Sequence, residues 1–337
     1  MNEQARLEKK IKAVCLLSGG LDSSLALRIA QEEGIDVIAV NFTGPFGGCM
    51  ESRESAAERV AKSLGVPLVV VTFGEEYLEL VRNPAHGYGS NVNPCIDCHI
   101  YMLRLATDIM RCEGASFLVT GEVLGQRPMS QRLDTLRRIE KASGVPGLIL
   151  RPLSARLLEE TVPESKGWVR RDRMLAVSGR SRREQIGLAR EKGLEGFSAP
   201  AGGCLLTDPQ FAPRVRDLLA HESLNMFDAG LLRFGRHFRL PSGAKLVIGR
   251  HERDNQALVS RARPTDTLLS TVGCPGPTAI IPGAATDEDA GLGARMVARY
   301  SDGRATGRVA VRIKSPTGER DCEVGPLDAE EVKGMMI

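Results

Sequence analysis

The chain has 337 residues, of which 42% are apolar, 26% charged and 4% aromatic, and its formal net charge is +3. This reads as a soluble globular protein with room for two domains, and aromatics this scarce do not advertise a stacking surface for single-stranded nucleic acid. No apolar run reaches membrane-spanning length, and the charged start MNEQARLEKKIK has no apolar segment behind it, which predicts a cytoplasmic protein with no membrane partner.

Ala13–Leu17 is a short apolar run of strand length, Ser18, Gly19 and Gly20 form a turn, and Leu21, Leu25, Ala26 and Ile29 recur at helical spacing. A strand, a glycine turn and a helix start leave backbone N–H groups free to hold phosphate. The Walker pattern GxxxxGK[ST] is absent. Asp36–Phe42 is a second buried strand, Glu51–Leu64 a helix closed by Gly65, and Pro67–Phe73 a third strand. Strands alternating with helices predict an α/β fold with a doubly wound parallel sheet, its ligand at the carboxyl ends of the strands. Asn41 and Phe42 then wall the nucleotide site.

A Gly- and Asn-rich loop, His86–Asn93, leads to Asn93–His99 (NPCIDCH) and a helix to about Cys112. A fourth strand, Phe117–Thr120, precedes Gly121–Gln131 (GEVLGQRPMSQ) and a helix to about Lys141; a fifth ends in LRPL, Leu150–Leu153. Beyond a polar helix at Arg182–Lys192, Phe197–Asp208 is a loop. From Leu232 short apolar runs separated by Gly, Pro and Asn turns predict strands and hairpins, Gly276–Gly293 reads as a loop, and Gly307–Lys314 as a half-buried strand. The expected organisation is a nucleotide domain over 1–175, a helical and loop segment over 176–230, and a smaller β-rich α+β domain over 231–330.

Eight cysteines in a cytoplasmic chain point to metal or catalytic roles rather than a disulfide framework. Cys95 and Cys98 form a CxxC before a helix, and Cys204 lies in a distant Gly-Gly-Cys loop. Three readings stand open: a [4Fe–4S] cluster on three thiolates with one iron left for exogenous sulfide; a redox pair in which Cys98 or Cys204 carries a persulfide and the other resolves it; and a structural zinc half-site completed by His99 or by another chain. Cys15 is expected to pack as a small hydrophobe, and Cys49, beside a glycine pair within reach of the site, is assigned no role in it. Two runs rich in arginine, Arg170–Arg190 and Arg233–Arg263, are either solvated faces or phosphate contacts. The five histidines share no motif and receive no catalytic role.

On SGGLDSS at Ser18–Ser24, Gly121–Gln126, Ser130–Gln131 and LRPL, residues 12–155 resemble the PP-loop ATP pyrophosphatases, and among them the 4-thiouridine synthases. NPCIDC resembles the NPxxxC segment of the tRNA 2-thiouridylases, with Cys98 at the catalytic position and Cys204 as the distal cysteine; CxxC plus one distant cysteine resembles the iron–sulfur-dependent members. Residues 240–283 are similar to the RNA-binding domain of the NFACT proteins. An N-terminal RNA-binding (THUMP) domain and a rhodanese-like domain, found in relatives, are not seen.

The resemblance implies ATP-dependent adenylation of a uracil carbonyl oxygen in tRNA, then replacement of that oxygen by sulfur from sulfide or a persulfide carrier. It puts the triphosphate on Ser18, Gly19, Gly20, Asp22, Ser23 and Ser24. Asp22 acts through Mg²⁺, or is an acidic first-turn residue serving the helix dipole. Gly121 and Gln126 meet the α-phosphate or adenylate, Arg104 either supports phosphate transfer or is a solvated helix residue, and Cys95, Cys98 and Cys204 hold the cluster, with Cys98 and Cys204 catalytic. A homodimer would let the RNA domain of one chain serve the active site of another. Two other functions remain open: a ligase using the same loop on a non-tRNA acceptor, and an RNA-binding protein with a vestigial nucleotide fold.

Overall fold

A computed structural model describes residues 10–47, 54–197 and 204–337. The chain forms two compact units, Met1–Thr207 and Asp208–Ile337. The sequence expectation separated 176–230 as a segment of its own; compactness places one division between Thr207 and Asp208.

In the first unit the order is β1 (Lys12–Leu16), α1 (Leu21–Glu32), β2 (Asp36–Thr43), α2 (Ala56–Ser63), β3 (Leu68–Thr72), α3 (Glu75–Arg82), α4 (Cys95–Cys112), β4 (Phe117–Val119), α5 (Leu133–Ala142), β5 (Ile149–Leu150), α6 (Val162–Ser165) and α7 (Arg183–Glu191). The sheet order is β3-β2-β1-β4-β5, and every pairing is parallel. The strands read as continuous apolar runs because both faces are covered. Ala13 and Cys15 of β1 pack into the layer with Leu25 and Ile29 of α1, whereas Val14 packs into the opposite layer with Ile100 and Leu103 of α4. The doubly wound parallel sheet expected from the sequence is the architecture observed. The strand order reverses between β1 and β4, which opens a crevice at their carboxyl ends. Two of the sequence's site segments, 17–24 and 121–126, leave the sheet there.

Past β5 the chain returns to the same end of the sheet. Leu175 N donates to Pro152 O (2.9 Å), Val177 N to Leu153 O (2.8 Å) and Gly179 N to Leu124 O (2.8 Å). These bonds carry α7 to the crevice from a stretch with no strand signature of its own.

In the second unit α8 (Ala212–Ala220) and α9 (Met226–Leu231) precede β6 (Arg236–Arg239), β7 (Lys245–Ile248), α10 (Glu252–Arg261), β8 (Thr267–Thr271), β9 (Thr278–Ile281), α11 (Asp287–Arg299), β10 (Val309–Ser315), β11 (Gly318–Val324) and α12 (Ala329–Gly334). The six strands form an antiparallel sheet, order β11-β10-β8-β9-β7-β6. Asp217 ties α8 to this unit by accepting from Arg239 Nε (3.0 Å) and Lys245 Nζ (2.7 Å), which is why residues 208–230 group with it.

The stretch Gly276–Gly293, expected to be a loop, contains β9 and the first half of α11. Thr286 caps α11, its hydroxyl accepting from Asp289 N (3.1 Å). A methyl group at Gly293 would already touch Leu269 and Ile281 at 3.5 Å; the small residues that disguised the helix let it lie close on the sheet.

Candidate active site

The loop after β1 is shaped by its own backbone. Gly19 has φ +74°, and a Cβ there would stand 2.4 Å from Ala57 N. Gly20 is the extended N-cap of α1 and has no side-chain cap, so the first N–H groups of the helix lie at the crevice without a capping acceptor. Ser23 and Ser24 both donate to Gly20 O, at 3.0 and 2.9 Å, and Ser18 Oγ lies 3.1 Å from Ser23 Oγ. Ser24 is fully buried, so its hydroxyl serves the curvature of the loop. Asn41 does likewise, donating to Leu17 O at 2.8 Å.

Gly121 permits a close approach: a Cβ there would lie 2.5 Å from Ser23 N and 2.6 Å from the Asp22 carbonyl carbon. Gln126 donates to Asp22 Oδ2 at 2.7 Å and accepts from Gln185 Nε2 at 3.0 Å. Arg182 Nη2 stands 3.7 Å from the same carboxylate oxygen. The other oxygen, Oδ1, is buried and lacks a hydrogen-bond partner. A carboxylate with one oxygen fixed and one unsatisfied, beside uncapped helix N–H groups, fits a residue that completes a metal–phosphate site. The sequence does not single out Arg182 or Gln185; the arginine-rich run, a solvated face or a set of phosphate contacts, is the signal available there. Arg104, considered for phosphate, instead donates to Ala142 O at 2.9 Å, joining α4 to α5.

The CxxC opens α4, and a strap formed by 86–93 holds it. His86 donates its backbone N–H to Asp97 Oδ2 at 3.0 Å, and its Nδ1 lies 2.7 Å from Oδ1. The far end of the strap grips the third cysteine: Val92 N donates to Leu206 O (3.2 Å) and Asn91 Nδ2 to Thr207 O (2.8 Å), while Leu205 N donates to Phe46 O (3.1 Å). Cys204 Sγ lies 3.7 Å from Phe46 O. Between the two cysteine segments stands Tyr77, whose phenol accepts from Cys98 Sγ at 3.9 Å. Its ring lies 6.3 Å from Phe46 and is stacked on Phe73 at 4.4 Å, which in turn stacks with Phe42 at 5.7 Å. Phe42 therefore belongs to this aromatic wall.

Burial pushes the Cys98 thiol up to about 12, and the charges of Cys204 and Cys95 act in the same direction against the hydrogen bond to Tyr77. Burial also opposes the Cys95 thiolate, but hydrogen bonding and charge from His99, with help from Ser130 and Arg127, bring that thiol down to about 7. The three cysteines thus share one electrostatic neighbourhood. Among the described residues no three His, Cys, Asp or Glu side chains are grouped to hold one metal ion. Cluster ligands attach to different irons and stand further apart than the ligands of one ion, and the charges of all three cysteines act on the Tyr77 phenol, which fits a three-thiolate cluster. Cys15 is fully buried in β1, as expected of a packing residue; Cys49 lies outside the described residues.

Behind Cys95 runs a buried chain of charges. His99 Nδ1 lies 3.0 Å from Glu122 Oε1, Glu122 Oε2 accepts from Arg151 Nε at 3.0 Å, and Arg151 Nη1 donates to Glu140 Oε2 at 2.8 Å. Burial opposes both ionised forms, yet Cys95 and Glu122 raise His99 to about 9, and Arg151 with His99 draws Glu122 down to about 2. His99, considered in the sequence only as a ligand completing a zinc half-site, is instead the partner of Cys95 and Glu122, and Glu122 and Arg151 enter the site without having been singled out in the sequence.

Residues 9–162 match the family model described as thiamine biosynthesis protein (ThiI), and residues 235–336 match NFACT protein RNA binding domain. A probable tRNA sulfurtransferase of Thermus thermophilus is 34% identical over 160 residues, covering 46% of this chain and 37% of that one. The tRNA-specific 2-thiouridylase MnmA of Clostridium acetobutylicum is 34% identical over 125 residues, 33% of this chain and 35% of its own. Among solved structures, a 4-thiouridine synthetase–RNA complex with bound ATP aligns with a TM-score of 0.41 at 25% identity, over 66% of this chain and 52% of that one. The chain spans little more than a third of the length of these two curated relatives. Both resemblances drawn from the sequence, to the nucleotide domain and to the NFACT RNA-binding domain, are met.

Proposed function

We propose that the chain is an ATP-dependent tRNA uridine sulfurtransferase. What supports this reading is that Cys98 meets Tyr77 and the charge of Cys204 acts on both, in the unit whose switch point carries the SGGLDSS loop. A nitrogen-transferring ligase on the same loop needs no such trio.

ATP would lie with its phosphates on the N–H groups at the start of α1. Asp22 would hold Mg²⁺ through its unpaired oxygen, and Arg182 would add a fixed cation where charge accumulates. The uracil carbonyl oxygen attacks the α-phosphorus and pyrophosphate leaves. A sulfur nucleophile then adds to the adenylated carbon and AMP departs, so oxygen is exchanged for sulfur. A [4Fe–4S] cluster on Cys95, Cys98 and Cys204 would supply an open iron that presents sulfide. The wall of Phe42, Phe46, Phe73 and Tyr77 keeps water from the activated carbon. The sulfur comes from sulfide or a persulfide carrier, tRNA is the partner, and the cytoplasm is the setting.

A second reading of the sulfur step uses Cys98 and Cys204 as a redox pair. A persulfide on Cys98 would deliver its outer sulfur, and Cys204 would then close a disulfide that a dithiol reductant reopens. Nucleoside mass spectrometry of tRNA from cells with and without the protein tests the function: a thionucleoside absent from the deletion strain supports it, and an unchanged profile refutes it. Iron and acid-labile sulfide in anaerobically purified protein separate the two sulfur chemistries.

A further inference from the structure

Two glutamines from distant parts of the chain meet at Asp22. Gln126, after β4, donates from Nε2 to Asp22 Oδ2 at 2.7 Å, and Gln185, in the first turn of α7, donates from Nε2 to Gln126 Oε1 at 3.0 Å. A carboxylate oxygen only accepts, so Gln126 must turn its NH2 group to Asp22. Its Oε1 then faces Gln185, which must turn its own NH2 group to it. The direction of both amides is set outward from Asp22. Backbone bonds keep the two in register: Ser178, just before α7, bridges to Leu124, and Gly179 N donates to Leu124 O at 2.8 Å. α7 lies along α1, with Arg182 Nη2 3.7 Å from Asp22 at one end and Lys192 Nζ 2.6 Å from Glu32 at the other.

Packing does not explain an amide at position 185. Gln185 is fully buried, and among the described residues its Oε1 has no hydrogen-bond partner. A buried unpaired carbonyl costs free energy, and a methionine would fill similar volume without that cost. What the amide adds is its donor. Arg182 shows what the donor is for. At 3.7 Å from Asp22 Oδ2 it makes an ion pair but no hydrogen bond, and that oxygen is occupied by Gln126.

We propose that Gln185 is a positioning residue that, through Gln126, holds the Asp22 carboxylate off Arg182, so that Oδ1 stays open to the cation that accompanies ATP. The proposal rests on the reading of Asp22 as the residue that holds Mg²⁺, and deepens it. Without Gln185, Gln126 loses its anchor and Asp22 closes on Arg182. That single pair withdraws the carboxylate from the cation and the guanidinium from the phosphates. Gln185 itself touches neither ATP nor metal; it acts at one remove.

The test uses Gln185→Met, Gln126→Met and the double variant in the full chain. ATP is titrated calorimetrically into each, once with Mg²⁺ and once with EDTA, and the urea midpoint of each is measured. With Mg²⁺, Gln185→Met should weaken ATP binding roughly fivefold, the size of one neutral hydrogen bond. With EDTA the change should stay under about twofold, because closure of Asp22 on Arg182 removes one repulsion and one attraction from the phosphates together. Gln126→Met should cost roughly tenfold or more, since it strips a charged oxygen of its donor, and the double variant should bind no more weakly than Gln126→Met alone. The urea midpoint of Gln185→Met should equal or exceed that of the wild type. Unchanged Mg²⁺–ATP affinity in Gln185→Met overturns the proposal. So do equal losses with and without Mg²⁺, additive losses in the double variant, and a urea midpoint that falls along with affinity, each of which marks a structural role for Gln185. Wild-type protein that binds ATP equally well with and without Mg²⁺ overturns the reading of Asp22 itself, and the proposal with it.

Discussion

A methyl group on residue 121 would stand 2.5 Å from Ser23 N, closer than side-chain carbon approaches backbone, and its neighbours there are main-chain atoms that cannot swing aside. The sequence marks Gly121 as a ligand contact; in the structure the residue lets the end of β4 lie against the first turn of α1. Gly20 is the opposite case. Its φ of −86° suits any residue, and a Cβ there meets only Ser18 Oγ at 3.4 Å. Gly121→Ala should therefore displace the loop, lower stability by about 2 kcal/mol and weaken ATP binding more than tenfold. Gly20→Ala should leave stability within about 0.5 kcal/mol. Urea unfolding and calorimetric ATP titration of the two variants check this, and equal stability losses would refute it.

At the scale of elements, α4, β4, β5 and α5 are joined by the buried chain His99–Glu122–Arg151–Glu140. Glu122 is drawn from 4.5 to about 2 because burial is outweighed by Arg151 and His99. Its folded value is depressed, so its stabilisation is complete above the unfolded value and is lost as pH falls through 4.5 towards 2. Between pH 5 and pH 3 the wild type should lose about 2 kcal/mol more than Glu122→Gln, read from urea midpoints at each pH; equal losses would show that Glu122 titrates normally. None of this chain was legible as chemistry, since Glu122 and Arg151 meet across two strands with no local pattern. The strands were legible because a parallel sheet covered on both faces writes itself as apolar runs such as AVCLL and VIAV. CxxC at a helix start was legible too. The return of Cys204 depends on a carbonyl of Phe46 and an amide of Val92, bonds that leave no mark in composition. α11 was hidden by the glycines and alanines that suit it to its sheet.

Over the whole molecule, the two arginine-rich runs invite a count of phosphate contacts that the structure reduces. Arg170 and Arg173 pair with Glu33, Arg171 with Glu164, Arg250 with Asp254, and Arg263 with Asp266. Arg239 is held by Asp217, and Arg236 and Arg261 lie over Tyr300 and Phe234, each 4.6 Å from the ring centroid. An arginine already bonded to a carboxylate gains little by meeting a phosphate, because it exchanges one anion for another. Among the described residues, exposed Arg180, Arg183 and Arg190 in the first run carry no such pair. Counterion release makes log Kd rise with log salt by roughly 0.7 to 0.9 for each phosphate neutralised. Were every arginine of both runs a contact, the slope would approach about ten; the ion pairs predict a slope of about four or less. Removing residues 208–337, which include the segment matching the NFACT RNA-binding domain, should lower tRNA affinity at least tenfold. ATP affinity of the remaining unit should hold, because Asp22, Gln126, Arg182 and Gln185 all lie within Met1–Thr207. Filter binding of tRNA from 50 to 300 mM KCl, with the full chain and with a chain ending at Thr207, measures both quantities. A slope near ten would return the paired arginines to the RNA, and unchanged affinity after truncation would move the RNA grip to the nucleotide unit.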